Sequence, residues 1–146
     1  MIIMKKRFNL LLLLFVLLLS ACNNEAELSG KTFKVAYPSP VKEMDDPNRY
    51  NPIMTLEFID ENVVHNTIYG EGTYELNDDV LVLYFENENE NLEISFKVKE
   101  SEKDFSEYSA VLSDVDFEMT DSDKISYFKN LAFRLTKEMP IEFLKE

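Results

Sequence analysis

From residue 32 almost to its end, the chain alternates apolar and polar positions with a period of two. Phe33, Val35 and Tyr37 stand against Thr32 and Lys34, and Met54, Leu56 and Phe58 stand against Thr55 and Glu57, so both runs predict half-buried strands. Residues 63–69 are rich in β-branched side chains, 73–76 follow Gly70 and Gly72, and 80–85 are apolar enough to be covered on both faces. Leu92, Ile94, Phe96 and Val98 oppose Glu93, Ser95, Lys97 and Lys99, the clearest strand of the chain. A further extended run over 108–117 sets Val111, Ser113, Val115 and Phe117 on one face. Leu131, Phe133 and Leu135 predict a closing strand over 131–136, while Ile125, Phe128, Ala132 and Leu135 also fit one face of a helix begun at Asp121 or Ser122.

The connections agree with a meander. Residues 60–62 and 77–79 carry Asp and Asn, which tolerate tight-turn conformations and bond their own backbone. Gly70 and Gly72 predict a bulge. The acidic low-complexity run 86–91 reads as a solvated hairpin tip. Seven or eight short strands are too many for one open sheet with two bare edges, so the expected fold is mainly β, an antiparallel meander closing into a small barrel or sandwich.

The first 22 residues follow another pattern. Lys5, Lys6 and Arg7 precede an unbroken apolar run from Leu10 to Leu19, the layout of an export signal. Ten helical residues rise about 15 Å, half of a hydrocarbon core, too little for a permanent span. The run ends Leu19-Ser20-Ala21-Cys22, which resembles the lipobox of exported lipoproteins of Gram-positive bacteria. That resemblance implies cleavage between Ala21 and Cys22, a diacylglycerol on the Cys22 sulfur, and a protein held to the outer face of the cell membrane by its acyl anchor. Two acyl chains, at about 0.8 kcal/mol per buried methylene, hold a protein lastingly where one is marginal. The chain then divides into a signal peptide (1–21), a lipidated cysteine with a polar tether (22–29) and a single barrel-like domain (30–146).

Composition narrows the partners. With 45% apolar residues, 7 Tyr and 11 Phe in 146, the chain has the apolar area for a packed core. Loss of residues 1–21 removes three of 15 basic residues and none of 28 acidic ones, leaving a net charge of −16. Such a charge repels nucleic acid and anionic lipid alike, and it favours basic proteins or peptides and loosely held divalent cations.

Beyond the tether, the opening 28–33 (Leu-Ser-Gly-Lys-Thr-Phe), the hairpin 70–81 and the segment 131–135 resemble the small lipocalin-like (calycin) lipoproteins. The resemblance implies an eight-stranded barrel, filled by side chains or enclosing one small ligand. Phe33, Tyr37, Met54, Leu56, Phe58, Phe85, Phe96 and Phe133 are the candidate lining for an apolar guest such as an acyl chain, or else simply a core. The Pro-bearing loop between the first two strands is long enough to lid an open barrel end, with Met44, Arg49 and Tyr50 as candidate contacts.

Catalytic chemistry finds little support. The single His65 has no visible nucleophile partner, no Gly-x-Ser-x-Gly, His-Glu-x-x-His or glycine-rich phosphate loop occurs, and no cofactor motif is present. Asp114 with Asp116, and Asp121 with Asp123, offer oxygen at alternate positions but lack the glycine and late glutamate of a calcium loop, so no metal site is expected. The expected function is a non-catalytic, membrane-anchored binding module for a small apolar ligand or a protein partner. The alternatives are a structural or antigenic surface protein without a pocket, and release of the apolar octapeptide 14–21 as a signalling peptide.

Overall fold

The alternation is realised as eight strands: β1 (Thr32–Pro38), β2 (Tyr50–Phe58), β3 (Val63–Asn66), β4 (Gly70–Asn77), β5 (Val80–Glu86), β6 (Glu90–Glu100), β7 (Ser106–Met119) and β8 (Pro140–Lys145). The computed structural model describes residues 27–39 and 46–146. Each strand pairs antiparallel with the next in the chain, and β8 returns to β1, closing an up-and-down barrel. Strand direction alternates, so one end carries the start of the chain and the β2–β3, β4–β5 and β6–β7 turns. The other end carries the β1–β2, β3–β4 and β5–β6 connections and the long segment 120–139. These are called the lower and upper ends.

Inward-facing side chains fill the barrel. Phe58, Phe85, Phe96 and Phe143 are fully buried, with Leu56, Leu81, Leu83, Leu92, Ile94 and Leu112 between them. In the lower half the rings meet edge to face, Phe58 on Tyr74 at 4.7 Å, Phe96 on Phe143 at 5.6 Å and Phe33 on Phe143 at 5.9 Å between centroids. Leu28, 2% exposed, belongs to this core at the lower end, and the Gly30 amide donates to the Phe58 carbonyl at 2.6 Å.

Turn chemistry sets the strand lengths. Asn66 Oδ1 accepts from the Ile68 and Tyr69 amides at 2.9 and 3.2 Å, an Asx turn that stops β3 after four residues. Asp78 takes φ 55 between β4 and β5, a left-handed conformation that Asp tolerates. The expected bulge at Gly70 and Gly72 is absent, because the β3–β4 register runs unbroken through both. Gly72 instead permits a close approach: a Cβ there would come within 2.6 Å of the Phe85 ring. Register shifts occur at Val35/Ala36, Ser95/Phe96 and Ser106/Tyr108.

Three further expectations are corrected. Residues 131–136 are not the closing strand; Lys129–Arg134 form a short helix, α1, and β8 follows it. Phe128, Leu131, Ala132 and Leu135 are buried, much as the helical alternative anticipated, but Ile125 is 83% exposed. The one-sided face on β7 is broken by the register shift opposite Ser95/Phe96. Ala110 and Leu112 point inward below it, Val111 and Ser113 are exposed, and Val115 and Phe117 pack toward the core above it. The solvated tip at 86–91 is wet only in part, since Glu90 is 3% exposed.

Candidate functional site

The upper end is where the described residues depart most from a plain barrel. Glu90 lies on the parity of Leu92, Ile94 and Phe96, which carries its carboxylate inward at the rim. There Oε1 accepts from the Tyr127 amide at 2.6 Å, the Phe128 amide at 3.2 Å and Asn87 Nδ2 at 3.0 Å, while Oε2 accepts from the Ser126 hydroxyl. Burial alone pushes this carboxyl up. The donors from Ser126, Tyr127, Asn87 and Phe128 more than offset it and hold the group below the usual carboxylate range. A charged acceptor thus ties segment 120–139 across the barrel mouth.

Beneath that tie the plug is apolar. The Phe128 ring sits 6.2 Å from Tyr69 and 6.4 Å from Phe85, and Leu131 is fully buried. Asn66, also fully buried on the inward parity of β3, has satisfied its oxygen but leaves Nδ2 without a hydrogen-bond partner. Above the tie the surface is apolar too: Ile68, Ile125, Tyr127 and Phe133 are 70–83% exposed. Lys129 Nζ lies 5.7 Å from the centroid of the Phe133 ring.

A second polar cluster lies on the outer wall, under the β6–β7 loop. Glu142 accepts from Ser106 at 2.7 Å, from Ser109 at 2.8 Å and from Lys103 at 2.9 Å, and it is 7% exposed. Tyr50, Ala36 and Leu144 pack beside it, with Phe105 5.6 Å from Tyr50. Lys103 comes from that loop, so its ion pair with Glu142 fastens the loop to β8. A cleft of about 360 Å³ runs over it, lined by Pro38, Tyr50 and Glu142 among others. Another, of about 540 Å³, lies at the lower end among Glu27, Asp78, Glu107 and Lys145.

The structure sorts the expected site residues plainly. Phe33, Met54, Leu56, Phe58, Phe85 and Phe96 come together inside the barrel, and Tyr37 packs partly buried against them. Phe133 does not line the interior; it stands 72% exposed on α1, because the helix turns that position away from Leu131 and Ala132. Arg49 is on a one-turn 3-10 segment, and Tyr50 packs on the outer wall, not over the mouth. Met44, Ala21 and Cys22 lie outside the described residues. Among the described residues no group of three acidic, His or Cys side chains is placed to hold a metal ion, and no helix is long and apolar enough to cross a membrane. Glu90, Ser126 and Glu142 went unread in the sequence, although the inward parity of Glu90 was visible there.

No protein-family model, curated protein or solved structure matches this chain.

Proposed function

We propose that this protein is a lipid-anchored module on the outer face of the cell membrane, tethered through Cys22, that holds a protein partner at its upper end. One observation carries the reading. The four most exposed large apolar residues, Ile68, Ile125, Tyr127 and Phe133, belong to the upper end, with the less exposed Ile59 and Val80 at the lower one, into which the chain leads out of its tether. Strands of seven residues are about 23 Å long, and at the tilt of a barrel they hold the apolar end about 18 Å from the anchored end, facing outward. An exposed apolar surface rimmed by polar residues is a common mark of protein contact. The interior favours the same choice, since interlocking rings occupy the volume an acyl chain would need.

A second reading, a small ligand held under the plug, is favoured only by the orphan Asn66 Nδ2, a buried donor that a ligand oxygen would satisfy. It requires the Glu90 tie to open first.

The test uses the full chain in the cells that make it. Radiolabelled palmitate should enter the wild type and not Cys22→Ala, which should appear in the medium. A photo-crosslinking residue at Phe133 should yield a protein adduct, and one at Glu75 on the side wall should not. An unlabelled wild type removes the anchor. Adducts at both positions, or at neither, remove the partner site. A small-molecule adduct retained in native mass spectra and lost in Asn66→Leu would favour the second reading.

A further inference from the structure

We propose that segment 121–138 is a lid, hinged at both ends and latched by Glu90, over a binding site for a small, uncharged, mainly apolar molecule whose oxygen accepts a hydrogen bond from Asn66 Nδ2. The site rests on the small-ligand reading above and stands apart from the partner surface, which lies on the outside of the same segment.

Two clamps hold the ends of the segment. At the first, the Thr120 amide donates to the Asn89 carbonyl at 2.7 Å, and the Asn89 side chain bonds the Asp121 amide and carbonyl at 2.9 and 3.1 Å. At the second, Leu112 exchanges backbone bonds with Glu138 and Met139, Glu138 turns the chain at φ 67, and Lys137 pairs with Asp114 at 3.1 Å. Between the clamps, among the described residues, every hydrogen bond from 122–136 to a strand ends on Glu90. The other bonds of that stretch are its own: the Lys129 amide donates to the Ser126 hydroxyl at 3.0 Å and the Ala132 amide to the Phe128 carbonyl at 2.9 Å. A piece bonded to itself, clamped at its ends and tied in the middle to one carboxylate opens as a unit when that tie goes.

Beneath the lid Asn66 ends β3, fully buried and on the inward parity. Its Oδ1 accepts from the Ile68 and Tyr69 amides, and its Nδ2 is left inside the barrel with no acceptor. A serine or threonine hydroxyl makes a similar turn without bringing a spare amide donor indoors, so the turn accounts for the oxygen and not for the nitrogen. Tyr69, three residues on, packs 6.2 Å from Phe128, and Phe128 meets Phe85 at 6.4 Å, which places the donor under the inner face that Phe128, Leu131 and Leu135 give the lid. In the lower half Phe33, Phe58, Phe96 and Phe143 interlock, so what an open lid frees is the space of Phe128 and Leu131 themselves, enough for a single six-membered ring. An anion would meet the Glu90 carboxylate at the rim, and a cation would set its charge against the Asn66 donor. An uncharged ring with one acceptor oxygen satisfies both.

The test follows amide deuterium exchange in the full chain as its cells produce it, held in lipid nanodiscs, with cyclohexanone, cyclohexane and cyclohexanecarboxylate as probes at equal free aqueous concentration. In the free protein, after correction for intrinsic rates, the amides of Tyr127, Phe128 and Ala132 should exchange together and about tenfold faster than those of Leu92 and Ile94 on β6. Glu90→Gln should speed the lid amides by about tenfold more. Cyclohexanone binds the open state alone, so it should speed them by about threefold or more in the wild type, and cyclohexane and the carboxylate should not. In Asn66→Ser, which keeps an oxygen for the turn, cyclohexanone should lose its effect. Lid amides as slow as those of β6, or spread over more than about tenfold among themselves, overturn the lid. Equal effects of cyclohexanone and cyclohexane, or an effect that survives Asn66→Ser, overturn the donor's role, and no effect of either probe overturns the site. A native adduct lost in Asn66→Leu together with slow lid amides keeps the small-ligand reading and removes the lid; absence of both the adduct and the cyclohexanone effect removes the reading itself.

Discussion

Replacing Glu90 with alanine removes the acceptor from which the plug is hung. Two of its donors are backbone amides, of Tyr127 at 2.6 Å and Phe128 at 3.2 Å, and neither can turn elsewhere without moving the chain. A hydrogen bond to a charged group contributes about 1.5–3 kcal/mol, whereas the Asn87 and Ser126 side chains can swing to water and recover most of theirs. Glu90→Ala should therefore cost about 3–5 kcal/mol, and Glu90→Gln, which keeps one acceptor oxygen, about half as much. Against a typical total of about 5–15 kcal/mol, both variants fold. Urea unfolding at pH 7 followed by circular dichroism measures the loss, with an unchanged denaturant slope marking an unaltered fold. Acid adds a second check. Because the folded carboxyl is held below the usual range, its contribution is complete above the unfolded value of about 4.3 and is lost as pH falls through the folded value. The gap between wild type and Glu90→Gln should shrink on acidification below about pH 4. A gap that stays constant from pH 7 to pH 2, or an alanine variant that loses less than about 1 kcal/mol, refutes the tie.

Four other substitutions probe the rest of the fold. Gly72→Val presses a side chain on the Phe85 ring and the Tyr84 carbonyl, and should lower the urea midpoint by the equivalent of about 1–3 kcal/mol with the slope unchanged. Leu131→Ala should cost about 2–5 kcal/mol and Phe133→Ala less than about 1, although they share one helix, since only the first is buried; equal losses would contradict the orientation of α1. Glu142→Ala leaves the Ser106 and Ser109 hydroxyls without their carboxylate, so tryptic cleavage after Lys103 should quicken several-fold relative to wild type, and unchanged cleavage would mean the loop is held by Phe105 instead.

The barrel was legible because a strand with one wet face writes its orientation in every second residue. β5 and β6 keep this rule from end to end, β1 keeps it up to the register shift at Val35/Ala36 and β2 from Met54 onward, and the expected runs match those stretches closely. Legibility failed where both faces are covered or the parity breaks. Ile141 and Phe143 face the core, but Glu142 and Leu144 are buried beneath the β6–β7 loop, so β8 shows no polar face to contrast with its apolar one. On β7 a single register shift moves the inward set from Ala110 and Leu112 to Val115 and Phe117, and reading one parity throughout mixes the two. Glu90 was hidden by composition: it shares the parity of Leu92 and Ile94, but within a run of alternating Glu and Asn a carboxylate on that parity reads as part of a wet tip. Of its partners only Asn87 is local, and Ser126, Tyr127 and Phe128 are 36–38 residues away.

Segment 120–139 carries a further failure of a different origin. Had the chain returned directly from β7 into a strand at 131–136, that strand would have had chain to spare to run beside the whole of β7, and the mouth would have stayed open. The residues from Phe128 to Leu135 instead serve two demands at once, an apolar face turned into the mouth and a second apolar face, Tyr127 and Phe133, left outside. A segment under both demands reads with an ambiguous period, and the strand that follows it comes late and short, pairing with β7 only as far as Val111. Stability alone gives no reason for the exposed rings of Tyr127 and Phe133 at this end, since burial would remove the liability. They are where local and global preferences disagree, and the contact surface proposed above is the account that the crosslinking experiment at Phe133 tests.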